Sequence, residues 1–312
     1  MEEKILIFGH QNPDTDSICS SMVKAIFENK KGEKAEAVRL GNINKETKYV
    51  LDYLKVEEPR LLEEVEEEQK VILIDHNEFN QSIKGIEKAK ILEVVDHHKI
   101  ANIETSEPLF YTARPYGCTS TILYEMYKYD YEPKGLFKIG KEEAMLMASA
   151  IISDTLLLKS PTTTKYDIQA LEELEKIAEI DIKEYGLEML KAGTDLDDYS
   201  ANELVNLDAK SLEKDENKFV IAQVNTVSIK EVLKRQEELE NAINEEIKEK
   251  GLDFFVLAIT DILNSNSEII ALGKKADVVE KAFDTKLENN RTFLEGVVSR
   301  KKQLLPNINK SL

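Results

Sequence analysis

Several scarcities narrow what this sequence can be. Its 312 residues include only two cysteines, Cys19 and Cys118. That is too few for a disulfide framework, so both are expected to be reduced core fillers. No apolar stretch reaches the roughly 18 residues a membrane span needs. The start, Met1-Glu2-Glu3-Lys4, lacks the basic beginning and long apolar core of a signal peptide, which predicts a cytoplasmic protein with no membrane partner. Positive charge is also short, with 42 Lys and Arg against 60 Asp and Glu and a formal net charge of -18. So acidic a chain offers no general basic footprint for nucleic acid, and any local basic cluster becomes more telling. There is no internal repeat and no low-complexity tract. What remains, 42% hydrophobic and 33% charged, is the composition of a soluble globular protein whose length suggests two domains.

Histidine is scarce too, and its placement is informative. The four histidines, His10, His76, His97 and His98, all follow apolar runs. Lys4-Ile5-Leu6-Ile7-Phe8-Gly9 leads into His10-Gln11-Asn12-Pro13-Asp14-Thr15-Asp16; Val71-Ile72-Leu73-Ile74 leads into Asp75-His76-Asn77; Ile91-Leu92-Glu93-Val94-Val95 leads into Asp96-His97-His98. Short aliphatic runs separated by helical stretches read as buried parallel strands. Ligands of open α/β sheets bind beyond the carboxyl ends of the strands, so the three runs are expected to deliver Asp and His to one edge.

Strand-like and helix-like segments alternate to about residue 190, with a further strand at 36–40 and helices or connections over 44–69 and 79–89. This predicts an α/β fold, a doubly wound parallel sheet. Helices are expected over 118–128, 141–159 and 166–179. The second is apolar on nearly every side and should be buried, yet it contains Asp154, a carboxylate that burial obliges to be paired, hydrogen-bonded or metal-bound. The polar segment 191–197, with Gly193, is the candidate linker between domains at 1–190 and 198–312. Beyond it the pattern predicts a smaller mixed-sheet α/β domain. Residues 218–224 form a strand. Ser228-Ile229-Lys230-Glu231 is a capping box opening one long helix to about Lys250. Strands at 253–260 and 268–273, joined by a short turn, should be antiparallel. A last apolar segment leads to Ser299-Arg300-Lys301-Lys302.

Carboxylate oxygens mixed with imidazole nitrogens suit manganese, zinc, iron or cobalt. Asp14 would also serve as a helix cap, but a cap does not explain His10. Asp14 and Asp16, two apart, point differently and could serve two ions, and Asp75 at a strand end could bridge them with one oxygen each. Of the adjacent His97 and His98, one is expected to ligate and the other to donate to substrate, with Asp96 or a similar group accepting the ligand's second N–H. His76 reads as a supporting or structural histidine. Two divalent ions about 3.5–4 Å apart make a hydrolytic site suited to phosphoryl centres, and Ser299-Arg300-Lys301-Lys302 would supply cations to meet the phosphate.

These residues resemble the DHH phosphoesterase superfamily, named for the triplet at Asp96-His97-His98, and within it the manganese-dependent, family II inorganic pyrophosphatases. The likeness is carried by Gly9-His10-Gln11-Asn12-Pro13-Asp14-Thr15-Asp16-Ser17, Val95-Asp96-His97-His98, Ser153-Asp154-Thr155-Leu156 with Ser160-Pro161-Thr162, and Ser299-Arg300-Lys301-Lys302-Gln303, and covers nearly the whole chain. The last motif looks like the family's DHHA2-type C-terminal domain. The resemblance implies hydrolysis of pyrophosphate to two orthophosphates by a metal-bridged hydroxide in a two-metal site between the domains. It implies one Mn2+ on His10, Asp14 and Asp75 and a second on Asp16, Asp75, His97 and Asp154, with cobalt acceptable in place of manganese. Substrate would arrive as a Mg2+ complex. His98 would contact it and assist proton transfer; Lys210, Arg300 and Lys301 would grip the phosphates. The resemblance alone points to Lys210 and to Asp154 as a ligand. It further implies a homodimer through the N-terminal domain. The short, continuous stretch from Asp75 to Asp96 leaves no room for the nucleotide-binding insert some relatives carry. Two other readings stay open on the residues: a DHH phosphodiesterase acting on oligonucleotides, cyclic dinucleotides or polyphosphate, and a non-enzymatic metal- or phosphate-binding protein.

Overall fold

The computed structural model of the chain describes residues 4–135 and 138–312. Residues 1–3, part of the start considered above, lie outside them. The chain forms two compact units, Met1–Gly193 and Thr194–Leu312.

The first unit contains β1 (Ile5–Phe8), α1 (Thr15–Lys30), β2 (Ala35–Arg39), α2 (Lys45–Leu54), β3 (Arg60–Leu61), β4 (Lys70–Ile74), β5 (Lys90–Asp96), β6 (Phe110–Ala113), α3 (Thr119–Glu125), α4 (Lys141–Thr155), α5 (Lys165–Ala178) and α6 (Ile182–Gly193). Its sheet runs β3-β2-β1-β4-β5-β6 with every pair parallel. The order reverses between β1 and β4, which is where a doubly wound sheet opens a crevice. Leu6, Phe8, Val71, Leu73 and Val94 pack on one face with Val65, Ile83 and Ile86 from the connecting segments. Ile7, Ile72, Ile74 and Val95 point the other way by strand alternation and are also buried. This double burial is why the runs read as continuous aliphatics. Helix α1 packs on β1 and β4, and α3 on β5. The edge strands β3 and β6 were not foreseen: β3 is only two exposed residues, and β6, although it begins Phe110-Tyr111, is only partly buried.

Two features of this unit differ from expectation. Helix α4 stops at Thr155 instead of 159, because Leu156, Leu157 and Leu158 take positive φ of 47°, 55° and 65°. Such conformations are costly for leucine. Here they are held by Leu157 N–H donating to the Ile152 carbonyl (3.0 Å) and Leu158 N–H to Thr155 Oγ1 (3.1 Å). Asp154 therefore sits in the last turn of the helix and not in its interior. Helix α6 runs through Gly193, so the first three residues of the expected linker, 191–193, are helical.

The second unit contains α7 (Ala201–Asn206), β7 (Ala209–Lys214), β8 (Asn217–Thr226), α8 (Ile229–Leu233), α9 (Gln236–Lys250), β9 (Phe254–Asp261), β10 (Asn266–Gly273), α10 (Val278–Phe283), β11 (Arg291–Glu295) and α11 (Leu305–Ser311). The mixed sheet has the order β11-β10-β9-β8-β7, with β8 and β9 parallel and the other pairs antiparallel. Leu204, Leu239 and Ile243 pack on Val220, Leu257 and Ile259. Val278, Leu304 and Ile308 pack with Phe219, Phe254 and Val256. The expected single long helix is broken at Lys234-Arg235, and Ser228 forms no side-chain cap. Instead Ser228 N–H donates to Thr226 Oγ1 (3.0 Å), and Arg235 leaves helical geometry with its guanidinium on the Leu196 carbonyl. The basic motif also begins differently: after β11 a turn intervenes, and Ser299 caps a wide π-type turn over Arg300–Leu304, closed by Leu304 N–H on the Ser299 carbonyl (3.1 Å).

One buried carboxylate fastens the start of α5 to α3 and to the loop before it. Asp167, fully buried at the start of α5, accepts from Thr164 N–H (2.7 Å) and Oγ1–H (2.7 Å), Gly117 N–H (3.0 Å) and Thr121 Oγ1–H (2.6 Å). An Asp167→Ala change strands these donors and is expected to cost about 3 kcal/mol. Calorimetry of the first unit's unfolding would read the loss; a shift under about 0.5 kcal/mol would show the network to be dispensable.

Candidate metal centre

The centre grows from the ends of β1, β4 and β5. Beyond β1 the chain turns through Gly9, where a Cβ would collide with Ser17, and Asp14 caps α1 by accepting from Ser17 N–H at 2.9 Å. Asp14 thus fills the capping role and keeps its second oxygen, Oδ2, at 3.5 Å from His10 Nε2. Asp75 directly follows β4 with φ of 60°, a left-handed conformation that Asp tolerates better than most residues. Its carboxylate is 1% exposed and reaches in two directions. Oδ2 lies 3.4 Å from His10 Nε2 and accepts from Ser17 Oγ–H (3.0 Å); Oδ1 lies 3.3 Å from His97 Nε2 and accepts from Thr119 Oγ1–H (3.0 Å).

Asp16 is buried in the first turn of α1, facing the amino end of α3. It accepts from Thr119 N–H (2.7 Å), Ser120 N–H (3.2 Å) and Ser20 Oγ–H (2.5 Å). Its ligand atoms, those of Asp154 and the thiol of Cys118 lie within 4.8 Å of one another, as do those of His10, Asp14 and Asp75 and those of Asp75, His97 and His98. His97 Nε2 joins these groups, 3.6 Å from Asp154 Oδ2. The structure thus brings together His10, Asp14, Asp16, Asp75, His97, Asp154 and His98. Lys210, Arg300 and Lys301 lie in the second unit.

The imidazoles are held by their second nitrogens. His97 Nδ1–H donates to the Tyr116 carbonyl (3.0 Å), so the accepting group is that carbonyl and not Asp96. Asp96 instead accepts from His98 Nδ1–H (2.9 Å), leaving Nε2 of the half-exposed His98 free for other work. Asn77 braces this corner, donating to Asp96 Oδ2 (2.5 Å) and to the Lys99 carbonyl (2.9 Å). His76 is buried, with Nδ1 on the Ile74 carbonyl (2.9 Å) and Nε2 on Ser82 Oγ (3.0 Å), a structural histidine whose burial lowers its pKa.

The electrostatics match a centre that expects cations. Burial opposes charge on His10 and His97, but Asp14 and Asp75 around the first, and Asp75 and Asp16 around the second, hold both pKa values up to about 10. Burial would raise Asp75, yet the two imidazoliums pull it well below the usual carboxylate range. Burial and the charge of Asp75 push Asp16 up to about 6, and burial with Asp16 and Asp75 pushes Asp154 up as well. Protonated histidines thus offset the excess of carboxylates. Hard oxygens with imidazole nitrogens, in this number and with one carboxylate facing both ways, fit a pair of divalent ions.

In the second unit, Lys210 is exposed on the edge strand β7. Two residues earlier, Asp208 holds Arg300: Oδ1 lies 2.9 Å from one guanidinium nitrogen, and the Asp208 carbonyl accepts from the other. Gln223 accepts from Arg300 N–H (3.1 Å) and donates to the Val298 carbonyl (3.0 Å), while Gln303 Oε1 accepts from Val298 N–H (2.9 Å) and Ser299 N–H (3.0 Å). Asp208 thus ties Arg300 to the start of the strand that carries Lys210, and Lys301, next to Arg300 in sequence, is exposed. Sequence reasoning did not find Asp208 and Gln223, nor Asn77 and Thr119. No spacing links Thr119 to Asp16, which lies 103 residues earlier.

Comparison with known proteins agrees with this architecture. Residues 4–151 match the model of the DHH family's N-terminal domain, and residues 187–311 match the DHHA2 domain. The chain is therefore of the DHH class. It is 57% identical to the manganese-dependent inorganic pyrophosphatase of Bacillus subtilis (strain 168) over 305 residues, 97% of each chain. It is 58% identical, over the same length and coverage, to a protein of Bacillus velezensis named as a probable enzyme of that kind. The crystal structure of a Methanococcus jannaschii protein assigned to the family II inorganic pyrophosphatases superposes with a TM-score of 0.62 at 39% identity, covering 99% of both chains. The chain belongs to the manganese-dependent, family II inorganic pyrophosphatases.

The proton balance is testable. Without metal, His10 and His97 are charged at neutral pH; because their folded pKa values exceed 6.5, their stabilising contribution is complete below about pH 6.5 and lost as pH rises through about 10. A ligating imidazole must surrender that proton. Manganese binding near pH 7 is expected to release about two protons, and its apparent affinity to rise from pH 6 to 9. Calorimetry in buffers of differing ionisation enthalpy measures both; an affinity flat with pH would contradict the assignment.

Proposed function

We propose that this chain hydrolyses inorganic pyrophosphate to two orthophosphates. The observation that carries this reading is Asp75, a buried carboxylate with one oxygen toward His10 and the other toward His97. Membership of the pyrophosphatase family supplies the substrate. In this reading His10, Asp14 and Asp75 would hold one Mn2+, and Asp16, Asp75, His97 and Asp154 the second, with Co2+ an acceptable substitute. When bound, such a pair supplies Lewis acidity and lowers the pKa of a coordinated water.

The remaining chemistry belongs to the chain. Asp96 fixes His98 through Nδ1 and raises its pKa against the opposing effect of burial, so Nε2 is suited to hand a proton to the departing phosphate. Arg300, preset by Asp208, offers a planar fork to phosphate oxygens, while Lys210 and Lys301 add compact charges. Substrate would carry Mg2+, which lowers its charge before these cations meet it. The net charge of -18 disfavours nucleic acid as an alternative substrate. Among the described residues no helix is long and apolar enough to cross a membrane. We place the protein in the cytoplasm, as a homodimer formed through the first unit.

Phosphate release from magnesium pyrophosphate by manganese-loaded protein tests the proposal. Asp75→Ala is expected to remove about 4 kcal/mol of transition-state stabilisation, about a thousandfold in rate, and chelation to abolish turnover. Lys210→Ala and Arg300→Ala should each raise KM about tenfold or more with manganese binding unchanged. Cleavage of a short oligonucleotide without pyrophosphate turnover would reassign the chain to phosphodiester chemistry.

A further inference from the structure

Glu46 is a mostly buried carboxylate that neither the ligand set nor the phosphate grips use. It lies in the first turn of α2, a helix capped by Asn44 through Thr47 N–H. One of its oxygens, Oε1, accepts two hydroxyl hydrogen bonds: from Thr15 at 2.7 Å and from Ser153 at 2.5 Å. Thr15 stands between Asp14 and Asp16 at the start of α1. Ser153 immediately precedes Asp154 in the last turn of α4. The two donors are 138 residues apart in sequence (153 − 15) and reach the same atom. Behind Glu46 the end of α6 leaves no slack: a Cβ on Gly193 would lie 2.8 Å from Glu46 Cβ and 3.0 Å from Oε2. The absence of a side chain at Gly193 thus lets α6 pack closely against Glu46.

We propose that Glu46 is a positioning residue for the two-ion centre, clamping the start of α1 to the end of α4 so that Asp16 and Asp154 stand close enough to share the second ion. The inference rests on the two-ion reading above. Asp16 has its own anchors, in the amino end of α3 and Ser20, whereas the turn bearing Asp154 runs straight into the left-handed Leu156–Leu158 segment and needs a fastening there. The first ion's residues, His10, Asp14 and Asp75, do not include the α4 end, and Asp14, although next to Thr15, keeps its own bond from Ser17 N–H (2.9 Å), so loss of the clamp should fall mainly on the second ion.

The test is manganese binding by the full chain. Titration calorimetry gives the two stepwise affinities, and electron paramagnetic resonance tells a spin-coupled manganese pair from an isolated ion. Wild type is expected to bind two coupled ions. Glu46→Ala should retain the first and weaken the second about 10- to 100-fold, with an isolated-ion spectrum. Glu46→Gln keeps an acceptor oxygen and should recover to within about threefold of wild type. Ser153→Ala, mild in a helix and removing one of the two bonds, should fall between them, and it carries the test if Glu46→Ala does not fold. Two coupled ions of unchanged affinity in Glu46→Ala, or equal weakening of both, would overturn the proposal. A single ion bound by wild type would instead overturn the two-ion reading.

Discussion

Asp14, Asp16, Asp75 and Asp154 converge on one small volume, and carboxylates so close cannot all remain ionised without cations among them. In the metal-free chain the cations are the imidazoliums of His10 and His97, whose protons are held far above the usual pH range of histidine. The same carboxylates that retain those protons would retain divalent ions. The surrounding fold exists to hold this concentration of like charge in place. It explains why strands end where they do, why α1 and α3 present their amino ends here, and why Asp75 adopts a left-handed backbone.

Two kinds of support make the arrangement tolerable. One is electrostatic: the amide groups at the start of α3 meet Asp16, and hydroxyls from Ser17 and Thr119 meet the two oxygens of Asp75. The other is orientational: the Tyr116 carbonyl and Asp96 fix the outer nitrogens of His97 and His98, so that adjacent residues of one strand end turn to different tasks. Asp96, first residue of the triplet that names the superfamily, is thus a support for His98. In the second unit the same logic is repeated with opposite charge, since Asp208 and Gln223 hold Arg300 and Gln303 folds the basic loop upon itself.

Much of the fold was legible in sequence because the relevant signals are local. Doubly buried strands must be aliphatic throughout, so β1, β4 and β5 announced themselves, and His and Asp at their ends announced the centre. The edge strands β3 and β6 gave no such signal, since pairing at a sheet margin asks little of side chains. The overlong reading of α4 came from the same source: Leu156, Leu157 and Leu158 continue the apolar pattern while their backbone leaves the helix. The capping box at Ser228 failed because Thr226 offered a competing hydroxyl nearby.

The sequence by itself determined which chemistry the chain could perform: the ligand types, their position at strand ends, the basic motif, and the family these together define. Only the tertiary structure decided how those residues cooperate. That Asp75 faces two histidines, that the start of α3 supports Asp16, and that one oxygen of Glu46 ties Thr15 to Ser153 are relations between residues scores of positions apart. No local spacing encodes such relations, because they come into being only when the parallel sheet closes and its flanking helices pack.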